Sequence, residues 1–296
     1  MYDPYNQRLV AGTAGTLSWQ QIDGTGEPAD PGTVTVTVTR ADGTVLASAQ
    51  ATDGSGTDPR TYALSVAQTA TLDRLSVAWV VSGTTVATTE VDVVAAPWFG
   101  NAELRNVETG LNDAVRYDAA KVTTARLQVE AFIEGLTNRR FVPGYTLETL
   151  PGVSGPNLVV RHPDVRRVRS ALLLDDPGAA ATETLATGEL TAIPASASGI
   201  VTRYANSWAA RWVRIGYEHG MTVPPPDLKR AAMRLVRELL VNEVKGQIPD
   251  NATNFNSTEM GWSAVLVTPG VRGAHTRLPT VNKAIDDWTF EQIGMA

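Results

Sequence analysis

The chain has 296 residues, 43% of them hydrophobic, a net charge of −6 and no cysteine. That length accommodates about two domains, each with its own core, and the apolar share excludes global disorder. Without cysteine there are no disulfides, thiolate nucleophiles or cysteine-ligated metals; no apolar run reaches the roughly 20 residues that span a bilayer, so no membrane partner is expected.

Met1 to Arg8 has no basic stretch followed by an apolar one, so no secretory signal is expected. Residues 1–97 carry four basic and ten acidic side chains, and the remainder balances at 21 of each sign. An acidic, lysine-free front repels phosphate rather than gripping it. Thr33 to Arg40 alternates strictly and puts Val34, Val36 and Val38 on one face of a strand. Ala41-Asp-Gly-Thr44 is a hairpin turn, and Val45 begins the return. Asp53-Gly-Ser-Gly-Thr-Asp58 is a second turn cluster. Tyr62–Val66, Leu75–Val81 and Thr84–Val94 complete a pattern of short strands and regular turns. The pattern predicts an immunoglobulin-like β-sandwich over 1–97, with Trp19 and Trp79 as core anchors.

Ala95-Ala-Pro-Trp-Phe-Gly100 breaks the alternation, and the period becomes helical. Asn101 and Asp118 are the expected caps of a short and a long helix. In the long one Val122, Ala125, Val129, Phe132, Ile133 and Leu136 form an amphipathic stripe. Strand character returns between 144 and 216: the small, polar stretch Ala179–Ser198 is expected as an exposed hairpin or flexible loop, and Trp208–Tyr217 as a final aromatic strand. Asp227 caps a second long helix to about Lys245, ended by Gly246. A polar loop from Ile248 to Thr258, a strand at Gly261–Gly270 and a short helix from Thr280 to about Phe290 follow. The expected fold is α+β with two domains: the all-β sandwich (1–97) and a mainly helical domain (98–274) with a β insertion at 144–216. Residues 275–296 form a C-terminal arm.

Chemistry is sparse. His162, His219 and His275 show no zinc-type spacing, and His219 reads as a turn residue. Gly152-Val-Ser-Gly155 misses the spacing of a nucleophile elbow, and Gly24-Thr-Gly26 lacks the rest of a dinucleotide fingerprint. Glu103, Glu108, Glu130 and Glu134 lack the histidine partners of a di-iron set and read as a solvated helix face. No catalytic, cofactor or metal residue is assigned, and no enzymatic activity is expected. Two basic groups remain. Arg161, Arg166, Arg167 and Arg169 cluster near one strand. Lys229 precedes Arg230, Arg234 and Arg237, which share one face of the second long helix. Either group suits a subunit contact, DNA phosphate or simple solvation.

From about residue 98 the chain resembles the head-to-tail connector (adaptor) proteins of long-tailed bacteriophages. The resemblance lies in an ordered set of segments. A long helix ends in Asn138-Arg-Arg-Phe-Val-Pro143, and Leu150-Pro-Gly-Val-Ser-Gly-Pro-Asn-Leu-Val-Val160 follows. Val165-Arg-Arg-Val-Arg-Ser-Ala-Leu comes next, then the strand into Tyr217-Glu-His-Gly220 and Pro224-Pro-Pro-Asp-Leu at the next helix. Pro249-Asp-Asn-Ala-Thr253, Pro269-Gly-Val-Arg-Gly273 and Leu278-Pro-Thr-Val-Asn282 close the set. The front domain is similar to immunoglobulin-like extensions of some such connectors, while the 175–207 excursion departs from the minimal pattern.

The resemblance implies a structural virion protein of the neck, made in the host cytoplasm and assembled as a ring, usually of twelve subunits, beneath the portal. Its implied partners are the portal protein, head-completion (stopper) or tail-terminator proteins, copies of itself, and double-stranded DNA passing through the lumen without sequence specificity. It implies portal contact through the C-terminal arm, with Arg277, Leu278, Ile285, Trp288, Phe290 and Ile293 as the candidates. Arg166, Arg167, Arg169, Arg230, Arg234 and Arg237 become candidates for the subunit interface or the DNA-facing surface. A closed ring requires two different faces of each subunit to meet. The short C-terminal helix is expected to order on its partner, being too small to stand alone. The competing expectation is an adhesion or carbohydrate-binding protein acting through the sandwich, with Tyr62 or Trp98 exposed.

Overall fold

The computed structural model describes residues 7–108, 110–204, 207–209, 211–245, 276 and 278–290. Strands and helices are both present, so the fold is α+β. Five helices lie among the described residues: α1 (Asn101–Val107), α2 (Ala119–Thr137), α3 (Thr187–Ala192), α4 (Pro226–Lys245) and α5 (Pro279–Trp288). The chain divides into two compact units. The first joins Asp3–Pro97 to Arg140–Thr222, and the second joins Trp98–Arg139 to Val223–Ala296.

The front of the first unit contains β1 (Gln7–Val10), β2 (Gly15–Trp19), β3 (Val34–Arg40), β4 (Val45–Ala51), β5 (Arg60–Leu64), β6 (Asp73–Val81) and β7 (Thr84–Val94). Five of them form a sheet in the order β1-β7-β6-β3-β4, with β1 parallel to β7 and the rest antiparallel; β2 and β5 pair separately. The alternation of β3 works as its sequence predicts: Val34, Val36 and Val38 are buried with Leu75, Val77 and Trp79 of β6 and Val91 and Val93 of β7. Leu17 and Leu64 close this core from β2 and β5. Each such side chain contributes roughly 1.5–3 kcal/mol by leaving water. Trp79 is fully enclosed, and Trp19 stacks on it with ring centroids 6.0 Å apart. The edge strand β4 shifts register twice and carries Ala49 at φ 47°, irregularities that blunt an edge against further pairing.

The second half of this unit contains β8 (Gly144–Pro151), β9 (Asn157–Val159), β10 (Val165–Leu174), β11 (Ala181–Thr184), β12 (Ile200–Thr202) and β13 (Trp212–His219). A four-stranded antiparallel sheet runs β11-β10-β13-β8, and β12 pairs with β9. The stretch read from sequence as exposed hairpin or loop holds β11 and α3, and its Leu185 and Ile193 enter a core with Trp208, Val213, Ile215 and Tyr217. The expected strand start at Trp208 falls instead at Trp212. Trp208 is a buried anchor whose Nε1–H donates to the Val201 carbonyl at 3.2 Å.

These strands were expected as an insertion within the helical domain, but they pack with the sandwich. Arg140 Nη2 donates to Asp92 Oδ2 at 2.6 Å, Ala95 N–H donates to Pro143 O at 3.0 Å, and Arg169 Nη1 donates to Leu72 O at 2.6 Å. Asp92 faces Arg8 and Arg74 as direct cross-strand neighbours; Arg8 and Asp92 are buried, Arg74 is half-exposed, and Arg140 adds a further cation to this row across β1, β7 and β6.

In the second unit Asp118 caps α2 as expected, accepting from Lys121 N–H at 2.8 Å, and Asn138 ends the helix at φ 50°. Two other caps differ. Gly100 occupies the cap of α1, with Asn101 already helical and its amide turned to Thr123 Oγ1. In α4 Pro226 is the first helical residue and Lys229 N–H donates to Pro225 O at 2.8 Å, so Asp227 lies inside the first turn. Proline suits that position because its missing N–H would have had no helical acceptor. The buried stripe of α2 also turns from expectation. Arg126, Glu130 and Glu134 are buried, while Phe132 and Leu136 are half-buried. The expected loop at 248–258 and strand at Gly261–Gly270 lie outside the described residues.

Candidate functional site: arginine surfaces, C-terminal helix and histidine pair

β10 presents its three arginines differently. Arg166 donates to Thr222 Oγ1 at 2.8 Å, and Arg167 pairs with Glu218 at 2.7 Å, a hydrogen bond that raises the guanidinium's hold on its proton. Arg169 is half-buried, holds Leu72 O and lies 4.6 Å from the centre of the Tyr145 ring. This corrects its place among exposed interface or DNA-facing residues: it is an internal tie of the first unit. Arg166 and Arg167 remain at the surface.

On α4, Lys229 pairs with Glu103 at 2.6 Å and Arg237 lies 3.8 Å from Glu108. Part of the basic face therefore meets α1 carboxylates. Arg234 is exposed and donates to Thr280 Oγ1 at 3.2 Å, and Arg230 is exposed. The other two glutamates read as solvated are enclosed. Glu130 accepts the Trp98 backbone N–H at 3.0 Å, and Glu134 accepts its indole N–H at 3.4 Å. Trp98 is buried and Tyr62 packs half-buried on the sandwich core, so neither supplies the exposed aromatic of a carbohydrate-binding tip.

The C-terminal helix also departs from expectation. α5 packs on α4 and α2 of its own chain, with Val281, Ala284 and Ile285 buried. Its apolar stripe finds a partner internally, and Ile285 is accordingly no surface contact here. Trp288 Nε1–H donates to Asp227 Oδ2 at 3.1 Å, Arg139 lies over the Trp288 ring, and Phe290 N–H donates to Thr137 O at 2.8 Å. Leu278 is half-buried at the N-cap, where its N–H donates to Thr276 Oγ1 at 3.2 Å. Arg277 and Ile293 lie outside the described residues, as does His275.

The remaining histidines meet. His219 ends β13 opposite Gly144 of β8 and Val165 of β10, so it is the last strand residue rather than a turn residue, and it is fully enclosed. His162 stacks on it with centroids 4.3 Å apart and ring planes 8° from parallel. His219 Nε2 is 2.9 Å from Thr146 Oγ1. Tyr217 tilts against His219 and donates its hydroxyl proton to Glu148 at 2.8 Å. Burial, then Arg140, Arg161 and Arg74, push His162 down to about 4. Burial, His162 and Arg140 hold His219 well below the usual imidazole range. The pair is neutral at pH 7. No sequence spacing announces it, because 57 positions of chain separate residues that only the β8–β13–β10 pairing and the loop before β10 bring together.

Among the described residues no group of three or more His, Asp or Glu side chains converges as a metal site would. The two units thus define an α+β protein whose conspicuous features are charged surfaces and internal ties. No family model and no curated protein matches the chain. Among solved structures, a chain from the neck of an empty gene transfer agent particle, computed with C6 symmetry, aligns with a TM-score of 0.39 and 17% identity, covering 67% of this chain and 93% of that one. A chain from the virion of a native gene transfer agent particle aligns with a TM-score of 0.36 and 18% identity, covering 58% and 93% respectively.

Proposed function

We propose that this chain is a structural, non-enzymatic adaptor of a phage-like neck. In this reading it forms a homo-oligomeric ring beneath the portal, meets stopper or terminator proteins on the other side, and surrounds a lumen through which double-stranded DNA passes. The observation that carries the reading is the order of elements. A long helix ending at Asn138 leads into β8, β9, β10 and β13, and Pro226 then opens a second long helix that α5 joins. This is the succession in which the sequence resembles the connectors. Exposed Arg166, Arg167, Arg230 and Arg234 supply positive surface for a contact between unlike faces of neighbouring copies, with the acidic sandwich as its complement.

The test is electron microscopy of the full chain mixed with the portal oligomer encoded by the same phage genome. Ring-shaped density of this protein on one end of the portal is expected. A portal that stays bare, with the two proteins sedimenting separately, would overturn the reading.

A further inference from the structure

We propose that His162 and His219 form a proton-operated clasp that releases the β-sandwich from the β8–β10–β13 sheet as the pH falls. The clasp concerns the inside of the first unit and stands apart from the adaptor reading.

The geometry carries it. Arg140 is the central tie between sandwich and sheet, through Asp92. Its guanidinium lies against Gly144, where any added Cβ would strike Arg140 Nη1. Gly144 is in turn the cross-strand partner of His219, on which His162 is stacked. The tie and the imidazoles therefore share one enclosed site.

The surroundings have no place for an imidazolium. Arg140, Arg161 and Arg74 face His162, with Asp92 the opposing charge. Asp92 is already engaged by Arg140 and flanked by Arg8 and Arg74. Glu148 accepts from the Tyr217 hydroxyl and the Arg161 N–H. Around His219 stand His162, Arg140, Tyr217 and Thr146. Its Nδ1 is enclosed with no hydrogen-bond partner in the protein. An imidazolium carries N–H at both ring nitrogens; Nε2 faces the Thr146 hydroxyl, and the N–H at Nδ1 would have no acceptor. A buried donor left unmade is strongly unfavourable.

The sign follows from linkage. A released imidazole takes its proton near 6.5, whereas docked His162 takes it only near 4. Between those values the released state holds more protons, so acid favours it. His162 weakens docking by up to about tenfold per pH unit across that window, and His219, also held below the usual imidazole range, acts in the same direction.

The chain has no cysteine, so a donor–acceptor dye pair can be placed at Ser48→Cys on β4 and Ala180→Cys beside β11. Energy transfer is followed in the full chain from pH 7.5 to 4, together with amide hydrogen exchange of β3 and β6, the centre of the sandwich core. The expected result is a reversible loss of transfer below pH 6.5 with the core signal retained. His162→Phe, which keeps a stacking ring but cannot titrate, and His162→Gln should each lower the midpoint by at least half a pH unit. Transfer unchanged down to pH 4 would overturn the proposal. So would identical midpoints in wild type and both variants, or loss of transfer only together with loss of the core signal.

Discussion

The backbone N–H of Trp98 donates to Glu130 Oε1 at 3.0 Å, while its indole N–H reaches Glu134 Oε1 at 3.4 Å, so successive turns of α2 hold both N–H donors of one tryptophan. Glu130 is fully buried, with Arg126 Nε 3.6 Å away. Glu130→Ala strands the Trp98 donor and an enclosed guanidinium, and should cost about 3 kcal/mol. Glu130→Gln keeps the acceptor and should cost about half as much. Urea unfolding monitored by helical circular dichroism checks both; an alanine variant within 0.5 kcal/mol of wild type, the ordinary range for a surface change, would show that these contacts are incidental.

Gly220 follows β13 at φ +104°, where a side chain would also meet the Val142 carbonyl oxygen. Gly220→Ala should destabilise the first unit by about 2 kcal/mol, through both backbone strain and collision. Gly155, with open space at its Cβ position, is the control and should tolerate alanine within about 0.5 kcal/mol. Thermal melts of the two variants make the comparison.

The arginines of β10 should separate in the same kind of experiment. Arg169→Ala removes the donor to Leu72 O and the packing over Tyr145, for a loss of about 1–2 kcal/mol. Arg166→Ala, which gives up one exposed contact to Thr222, should change stability by less than about 0.5 kcal/mol. If the adaptor reading holds, Arg230→Glu should instead leave the melting curve unchanged and impair closure of the ring on the portal. An unaltered ring in electron micrographs would remove that residue from the contact between copies.

Ile285 is wholly enclosed in α5. Ile285→Ala should lower stability by about 2–4 kcal/mol by opening a cavity. Truncation before α5 should likewise expose the faces of α4 and α2 that it covers. Reduced portal attachment after truncation would then have to be compared with the melting curve of the truncated chain before a contact role is assigned. Equal melting of full-length and truncated chains would show that α5 adds nothing to the fold.

Stability should fall in two stages on acidification. Between pH 6.5 and about 4, protons bind His162 more tightly in the unfolded chain, and stability should decline by at most about 1.4 kcal/mol per unit from this group. Asp92 acts lower. Burial pushes its carboxyl up, but Arg140, Arg8 and Arg74 more than reverse this and hold it below the ordinary range. Its contribution is complete above the unfolded carboxyl value near 3.9 and is lost as pH falls below it. Urea midpoints at pH 7, 5 and 3.5 resolve the stages, and His162→Phe should flatten only the first.

Much of the sandwich was legible locally. Val34, Val36 and Val38 alternate with threonines, and period two admits only one face for them. Asp118 was equally legible, since a cap is set by residues within one turn. Glu130 and Glu134 were not, because their partner Trp98 lies more than 30 positions away and helical periodicity alone treats a carboxylate as solvent-facing. The same long-range dependence hid Arg169, whose acceptor is the carbonyl of Leu72, just before β6 and nearly a hundred positions away. In α5 a strong apolar stripe was visible, but its covering surface was not, so an external partner was expected where α4 and α2 serve.

Each compact unit is sewn from two stretches of chain that are not consecutive. This imposes a schedule on synthesis. The sandwich strands are complete once Pro97 has been made, yet Arg140 and β13 arrive only later, and until then the carboxylate of Asp92 has only Arg8 and Arg74 beside it. At roughly 5–20 residues per second, translation on to Thr222 takes on the order of 6–25 seconds. During that interval the nascent chain presents a half-finished sheet face bearing Arg8, Asp92 and Arg74, and α2 waits longer still for α4 and α5. A slow or rare codon between Arg140 and Thr222 would lengthen the exposure of that face, making yield of soluble protein sensitive to synonymous changes that leave every residue untouched.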